Sequence, residues 1–350
     1  MVKSSRKYKM GELVKYISPS SFYYWEKCPL KAVFSKKYRD WQFFPKHPDA
    51  DLGTVIHLFY EKKTEWIIDS QTAFENKWKE LIANINETYK INELQKRYYP
   101  VQWYSKYYAV KKALLKKNIL SNHTHHKSKK NIAFEKWIYN KIIGGYIDLI
   151  IFNDEKKIKS IVDFKTGEIF EKADGQFQIK EVYKMQLALY AIVIKEQQGF
   201  IPKLFIENIK GERILVEISD SYIEAIYNRA IRLKNKIDLA EKDNCVDSLA
   251  NANSDNCKLC DYRTICVIYK TTLMNNVIDN MIDIHGKLIG KYPPVVDIDL
   301  TNITYRIKNL RSIDDLDIGR EIFIYNLFLP DENENILYSI KSTIIEYGEN

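Results

Sequence analysis

Two aspartates set inside apolar, strand-like runs constrain this chain more than any other feature. In "IKSIVDFKTG", residues 158–167, Ile161, Val162 and Phe164 are apolar, yet Asp163 and Lys165 stand two apart. Side chains alternate along a strand, so these two point the same way and set a carboxylate beside an ammonium. Burying either alone is costly. A second acid, Asp148 in "GGYIDLI", lies fifteen residues earlier and one hairpin away. The two carboxylates can therefore meet, and one of them must keep its proton unless a cation lies between them. A divalent ion with hard oxygen ligands, Mg or Mn, meets that need. Lys165 would then stand beside the metal, able to orient or deprotonate a water and to offset charge on a phosphoryl group. For "DFK" alone, a strand-end salt bridge is the plainer reading.

The chain of 350 residues has room for one large domain or two smaller ones. No run approaches the eighteen apolar residues of a membrane span, and the basic N-terminus lacks a following apolar segment, so a cytoplasmic protein with reduced thiols is expected. Its formal charge of +8 argues mildly for a polyanionic partner.

Ser18 reads as a helix N-cap with Pro19 at the first helical position, and Cys28 lies near that helix's end. Residues 54–120 are mostly helical with a break near Pro100, and 121–131 read as a loop. Strands follow over "NIAFEKWIYN", "GGYIDLIIF" and "IKSIVDFKTG", then an amphipathic helix over "EVYKMQLALYAIVIKEQ". "KLFIENIKGERILVEIS" supplies two strands about a Lys-Gly turn, and the next helix is capped by Ser219 or Asp220. A cysteine-containing segment and one more helix lead to "GKYPP", residues 290–294, which reads as a linker. Residues 295–350 alternate as a small β module, with an OB-like fold as one candidate. The expected class is α/β, a mixed sheet flanked by helices, with a helical insertion over about 58–130 and a domain spanning 1–290.

"GGYIDLI" followed by "IVDFKTG" resembles the D…DxK signature of the PD-(D/E)XK nuclease superfamily, and its surroundings resemble the RecB-like branch. That branch carries a GxxxH motif, matched by Gly53 to His57, and a QxxxY helix, matched by Gln186 to Tyr190. The resemblance covers roughly residues 17–270 and implies a restriction-endonuclease-like core that hydrolyses DNA phosphodiesters, on single strands or duplex ends. It implies that His57, Asp148, Asp163 and the Phe164 carbonyl hold the metal, that Lys165 acts on the water or the transition state, and that Gln186 and Tyr190 contact a phosphate or place Lys165. Glu135 in "FEKWIY" is a further candidate, since relatives often carry a glutamate before the GxxD strand. Without the motif, His57 is an ordinary histidine, and Gln186 and Tyr190 are an amphipathic border. His123, His125 and His126 read as solvated loop residues.

"CKLCDYRTIC" spaces Cys257, Cys260 and Cys266 as C-x2-C-x5-C. In a reducing compartment this favours metal over disulfide, and Cys28 is the candidate fourth ligand. The arrangement resembles AddB-type and CRISPR-adaptation nucleases, which implies a 4Fe-4S cluster; structural zinc is the alternative. A helicase subunit is one expected partner, and Cys245 is left over as an ordinary thiol.

Between Glu93 and Glu135 there is no acidic residue. Lys111, Lys112, Lys116 and Lys117 are interleaved there with aromatics including Trp103 and Tyr107, a composition that suits a single-strand track. The competing reading is a helical subdomain with aromatic core and solvated lysines.

Overall fold

The computed structural model describes residues 13–62, 66, 68–122, 131–173, 175–275, 283–300, 303–310, 313–330 and 335–348. Helices α1 (Phe22–Lys27), α2 (Leu30–Lys37), α3 (Pro48–Glu61), α4 (Gln71–Ile91) and α5 (Ser105–Asn122) come first, with short turns around Pro100 between the last two. Strands β1 (Ile132–Tyr139), β2 (Gly144–Phe152) and β3 (Ile158–Lys165) follow, then the small hairpin β4 (Phe170–Ala173) and β5 (Gln176–Ile179). Helix α6 (Glu181–Gln198), strands β6 (Lys203–Asn208) and β7 (Arg213–Leu215), and helix α7 (Asp220–Lys242) complete the core. Helices α8 (Ser254–Cys257) and α9 (Val267–Asn275) carry the cysteine segment.

The central sheet runs β1-β2-β3-β6-β7, antiparallel except for the parallel β3–β6 pair. Joining parallel neighbours requires a crossover, and α6 supplies it. Ten consecutive residues of α6, Met185–Ile194, are buried, and Gly199 ends the helix in the left-handed conformation that glycine adopts without a Cβ penalty. Ile150 and Ile161 pack with α6 and α7, whereas Leu149, Val162 and Phe164 pack with α3, α4 and α5. The helical insertion therefore covers the second face of the sheet, and the carboxylate-bearing strands are enclosed on both sides. Of the two candidate caps, Ser219 is the one used: its hydroxyl accepts from the Tyr222 N–H at 3.2 Å.

Two expectations are corrected. The first helix starts at Phe22, with Ser21 and not Ser18 at its cap. Ser18 to Ser21 form a turn instead, because the preceding Ile17 is bonded to the sheet through Ile142 and Gly144 and the chain must leave it. Residues 290–294 are not a linker. Strand β8 (Ile284–Tyr292) runs through them to a hairpin turn at Pro293 and Pro294, followed by β9 (Val295–Leu300), β10 (Ile303–Lys308), β11 (Glu321–Phe328) and β12 (Ile336–Tyr347). Residues 284–290, assigned to the first domain from sequence, thus stand in a strand of the β module.

That module is a closed barrel, β10-β12-β11-β8-β9, in which only β10 and β12 pair in parallel among the described strands. It is fastened to the cysteine segment. Arg263 donates to Asp283 at 2.9 Å with both groups buried, and Tyr269 donates to the same carboxylate at 2.6 Å. Phe44, Tyr269 and Leu273 pack with Phe323 and Tyr325 of the barrel.

Candidate functional site

The site lies where β1, β2, β3, α3 and α6 converge, in a cavity of about 890 Å³ lined by His57, Glu135, Asp148, Asp163, Phe164, Lys165, Gln186 and Tyr190. Asp163 is buried on β3. Its Oδ2 lies 2.6 Å from Lys165 Nζ, and its Oδ1 accepts from Gln186 Nε2 at 2.6 Å. Lys165 also donates to Gln186 Oε1 at 2.9 Å and sits 4.7 Å from the centre of the Tyr183 ring. Burial pushes the Lys165 ammonium toward neutrality, but the Asp163 charge outweighs it and raises its pKa above the ordinary 10.5. The pairing with Asp163 thus favours the charged form of Lys165.

Asp148 occupies the other wall. Its Oδ2 accepts the Phe164 N–H at 2.6 Å, and its Oδ1 is 3.6 Å from His57 Nδ1. Burial first, and the neighbouring Asp163 second, raise its carboxyl from the ordinary 3.8 to about 7. Glu135 Oε1 lies 3.3 Å from the same His57 nitrogen. Burial opposes the imidazolium, yet its hydrogen bond to Glu135 and the charge of Asp148 leave the His57 pKa raised.

Glu135 reaches this place through an unusual backbone. It adopts φ +45, a left-handed conformation uncommon outside glycine, where the β1–β2 register brings it opposite Asp148 between the Phe134–Leu149 and Lys136–Ile147 partners. One nitrogen and two carboxylate oxygens, from His57, Glu135 and Asp148, lie within 4.8 Å of one another. That donor set fits Mg or Mn.

The structure brings together His57, Glu135, Asp148, Asp163, Lys165 and Gln186. Asp163 is turned toward Lys165 and Gln186, and the three-residue ligand group forms without it. Tyr190 is buried, and its hydroxyl donates to the Tyr146 carbonyl at 2.6 Å. Gln186 places Lys165 and Asp163 within the protein. The insertion residues sit farther out. Tyr107 accepts from Trp78 Nε1 at 2.9 Å against the helical core, and Lys111 pairs with Glu75 at 2.7 Å. Trp103 is 77% exposed, and Lys112 and Lys116 are exposed. The Lys117 side chain and residues 123–130, with the three loop histidines, lie outside the described residues. Lys106 on α5, one of the lysines of the basic stretch, donates to Thr166 Oγ1 at 3.0 Å, directly after Lys165, a contact that the sequence does not announce.

The four cysteines line one small cavity with Arg263 and Tyr269, but among the described residues no three of their thiols come within 4.8 Å of one another. Burial raises the Cys257 thiol to about 11 and also lifts Cys260 and Cys266. No described helix is long and apolar enough to cross a membrane.

No curated protein matches the chain. A crystal structure of a "Putative exonuclease" from Eubacterium rectale is similar at 16% identity and a TM-score of 0.36, covering 81% of this chain and 96% of that one. The family profile described as the PD-(D/E)XK nuclease superfamily matches residues 16–267. Because that span exceeds half of the chain and holds both carboxylate-bearing strands, α3 and α6, the chain belongs to the PD-(D/E)XK nuclease superfamily.

Proposed function

We propose that this protein is a metal-dependent deoxyribonuclease of the RecB-like branch, an exonuclease on single-stranded DNA or DNA ends that works in repair or phage defence. The observation that carries the reading is the group formed by His57, Glu135 and Asp148 across the cavity from Lys165. Mg or Mn bound there would polarise a phosphoryl oxygen and lower the pKa of a water. His57, Glu135 and Asp148 would hold the ion, and Asp163 with the Phe164 carbonyl would complete its shell. Lys165, paired with Asp163 at 2.6 Å, would act on the attacking water or offset charge on the phosphoryl group. Gln186 spans Asp163 and Lys165 and keeps both in place.

Lys112 and Lys116 are read as phosphate contacts, joined by Lys106 beside Thr166, with Lys111, Lys117, Trp103 and Tyr107 as the rest of the track over the insertion. The barrel, OB-like in having five strands and a closed circuit, is read as facing a protein. Residues 283–350 carry twelve acidic and seven basic side chains, a balance that repels DNA and suits a partner such as a helicase subunit.

Cys28, Cys257, Cys260 and Cys266 are read as ligands of a 4Fe-4S cluster. All four line one small cavity, which supports a shared ligand site, and the resemblance to AddB-type and CRISPR-adaptation nucleases favours the cluster over structural zinc. Reduced thiols of this kind fit a cytoplasmic location. The decisive experiment is cleavage of labelled DNA with Mg, with Mn and with chelator, by the wild type and by Asp163→Ala. Activity that survives Asp163→Ala or chelation sinks the reading, and stoichiometric zinc without iron sinks the cluster.

A further inference from the structure

The cavity has a second end that the metal chemistry does not use. Moving along β1 and β2 away from Glu135 and Asp148 and taking every second cross-strand pair, Trp137 meets Tyr146 and then Tyr139 meets Gly144. Trp137 and Tyr146 are 40% and 57% exposed, their ring centres lie 4.9 Å apart, and both line the cavity that holds the carboxylates. Tyr16 meets Trp137 with ring centres 6.0 Å apart. Glycine is required beneath them: a Cβ on Gly144 would lie 2.8 Å from both Trp137 Cζ2 and Tyr16 Cγ. The rings are therefore held in place before any ligand arrives, and Lys15 and Lys36 line the same cavity.

A cross-strand aromatic pair can simply stabilise an edge strand. That role needs no opening onto a cavity walled by catalytic carboxylates, and it does not call for bare backbone under the rings. Bases in a duplex are stacked and paired, so their faces are available to protein rings only when unpaired.

The geometry points to Trp137, Tyr146 and Tyr16 as a stacking platform that seats an unpaired base beside the scissile phosphate, making single-stranded nucleic acid the substrate. This rests on the nuclease reading above. In Asp163→Asn protein, a single-stranded oligonucleotide should bind on the order of 5- to 150-fold more tightly than the same strand with abasic positions across the site. Trp137→Leu should erase that difference while leaving the salt dependence of binding unchanged, and Trp137→Phe should restore it. Tyr146→Leu provides a second route should Trp137→Leu fail to fold. Equal affinity for intact and abasic strands overturns the platform, as does discrimination that persists in folded Trp137→Leu or Tyr146→Leu protein. Wild type that binds intact strands selectively but cuts none with Mg or Mn overturns the nuclease reading and leaves the platform standing.

Discussion

Replacing Asp148 with Asn should remove activity and stabilise the metal-free protein, with a gain that depends on pH. The Asp148 carboxyl is raised from 3.8 to about 7, chiefly by burial and then by the charge of Asp163, against the opposing pull of His57 and the Phe164 N–H. Between those two pH values the folded chain holds a proton that the unfolded chain releases. Wild-type stability from this group therefore falls as pH rises from about 4 to about 7 and is level above that. At about 1.4 kcal/mol per pH unit, the interval corresponds to about 4 kcal/mol. Asparagine can still accept the Phe164 N–H through its Oδ1 and has no proton to lose. In EDTA, urea unfolding should find Asp148→Asn more stable than wild type by about 1 kcal/mol at pH 4.5 and by about 4 kcal/mol at pH 8. Mg or Mn should then raise the stability of the wild type more than that of the variant, because ligand bound only to the folded state adds stability by mass action. A variant less stable than wild type at pH 8, or a gap that does not widen with pH, would refute the assignment of Asp148 as a strained carboxylate awaiting a cation.

Gln186→Leu removes the donor to Asp163 and the acceptor of Lys165, hydrogen bonds to charged groups worth about 1.5 to 3 kcal/mol. Its kcat should fall by about 10- to 150-fold, read from single-turnover cleavage. Neutralising Lys112 and Lys116 with Gln should flatten the plot of log affinity against log salt by about 1.4 for a single strand, at about 0.7 per phosphate contact. Gly144→Ala drives a Cβ into Trp137 and Tyr16, so it should cost about 1 to 3 kcal/mol in urea unfolding and weaken strand binding together.

Much of the site was legible because strand alternation is local. Asp163 and Lys165 had to share a side, and Gln186 and Tyr190 had to share a helix face, whatever the rest of the chain did. How those faces meet depends on contacts far apart in sequence. The double use of Asp163 by Lys165 and Gln186 arises only once α6 crosses the sheet. Glu135 stayed ambiguous because its place beside His57 depends on a left-handed φ that no periodicity announces. Trp137 and Tyr146 went unnoticed since their pairing is a matter of register, although "EKWIY" and "GGYID" already alternated correctly for it. Pro19 and "GKYPP" misled for a related reason. Proline marks the end of regular backbone, but a hairpin turn and a domain linker leave the same mark.

The buried pairing of Arg263 with Asp283 bears on how separable the two parts of the chain are. The arginine belongs to the loop between Cys260 and Cys266, the aspartate stands at the entry to the barrel, and Asn326 of β11 binds both partners. Cutting the barrel away would take from the Arg263 guanidinium its counter-charge Asp283 and its Asn326 acceptor together. The barrel is thus a keystone and not an appendage. A chain ending before Asp283 should therefore have a less stable cysteine loop, and the intact chain should melt in a single transition.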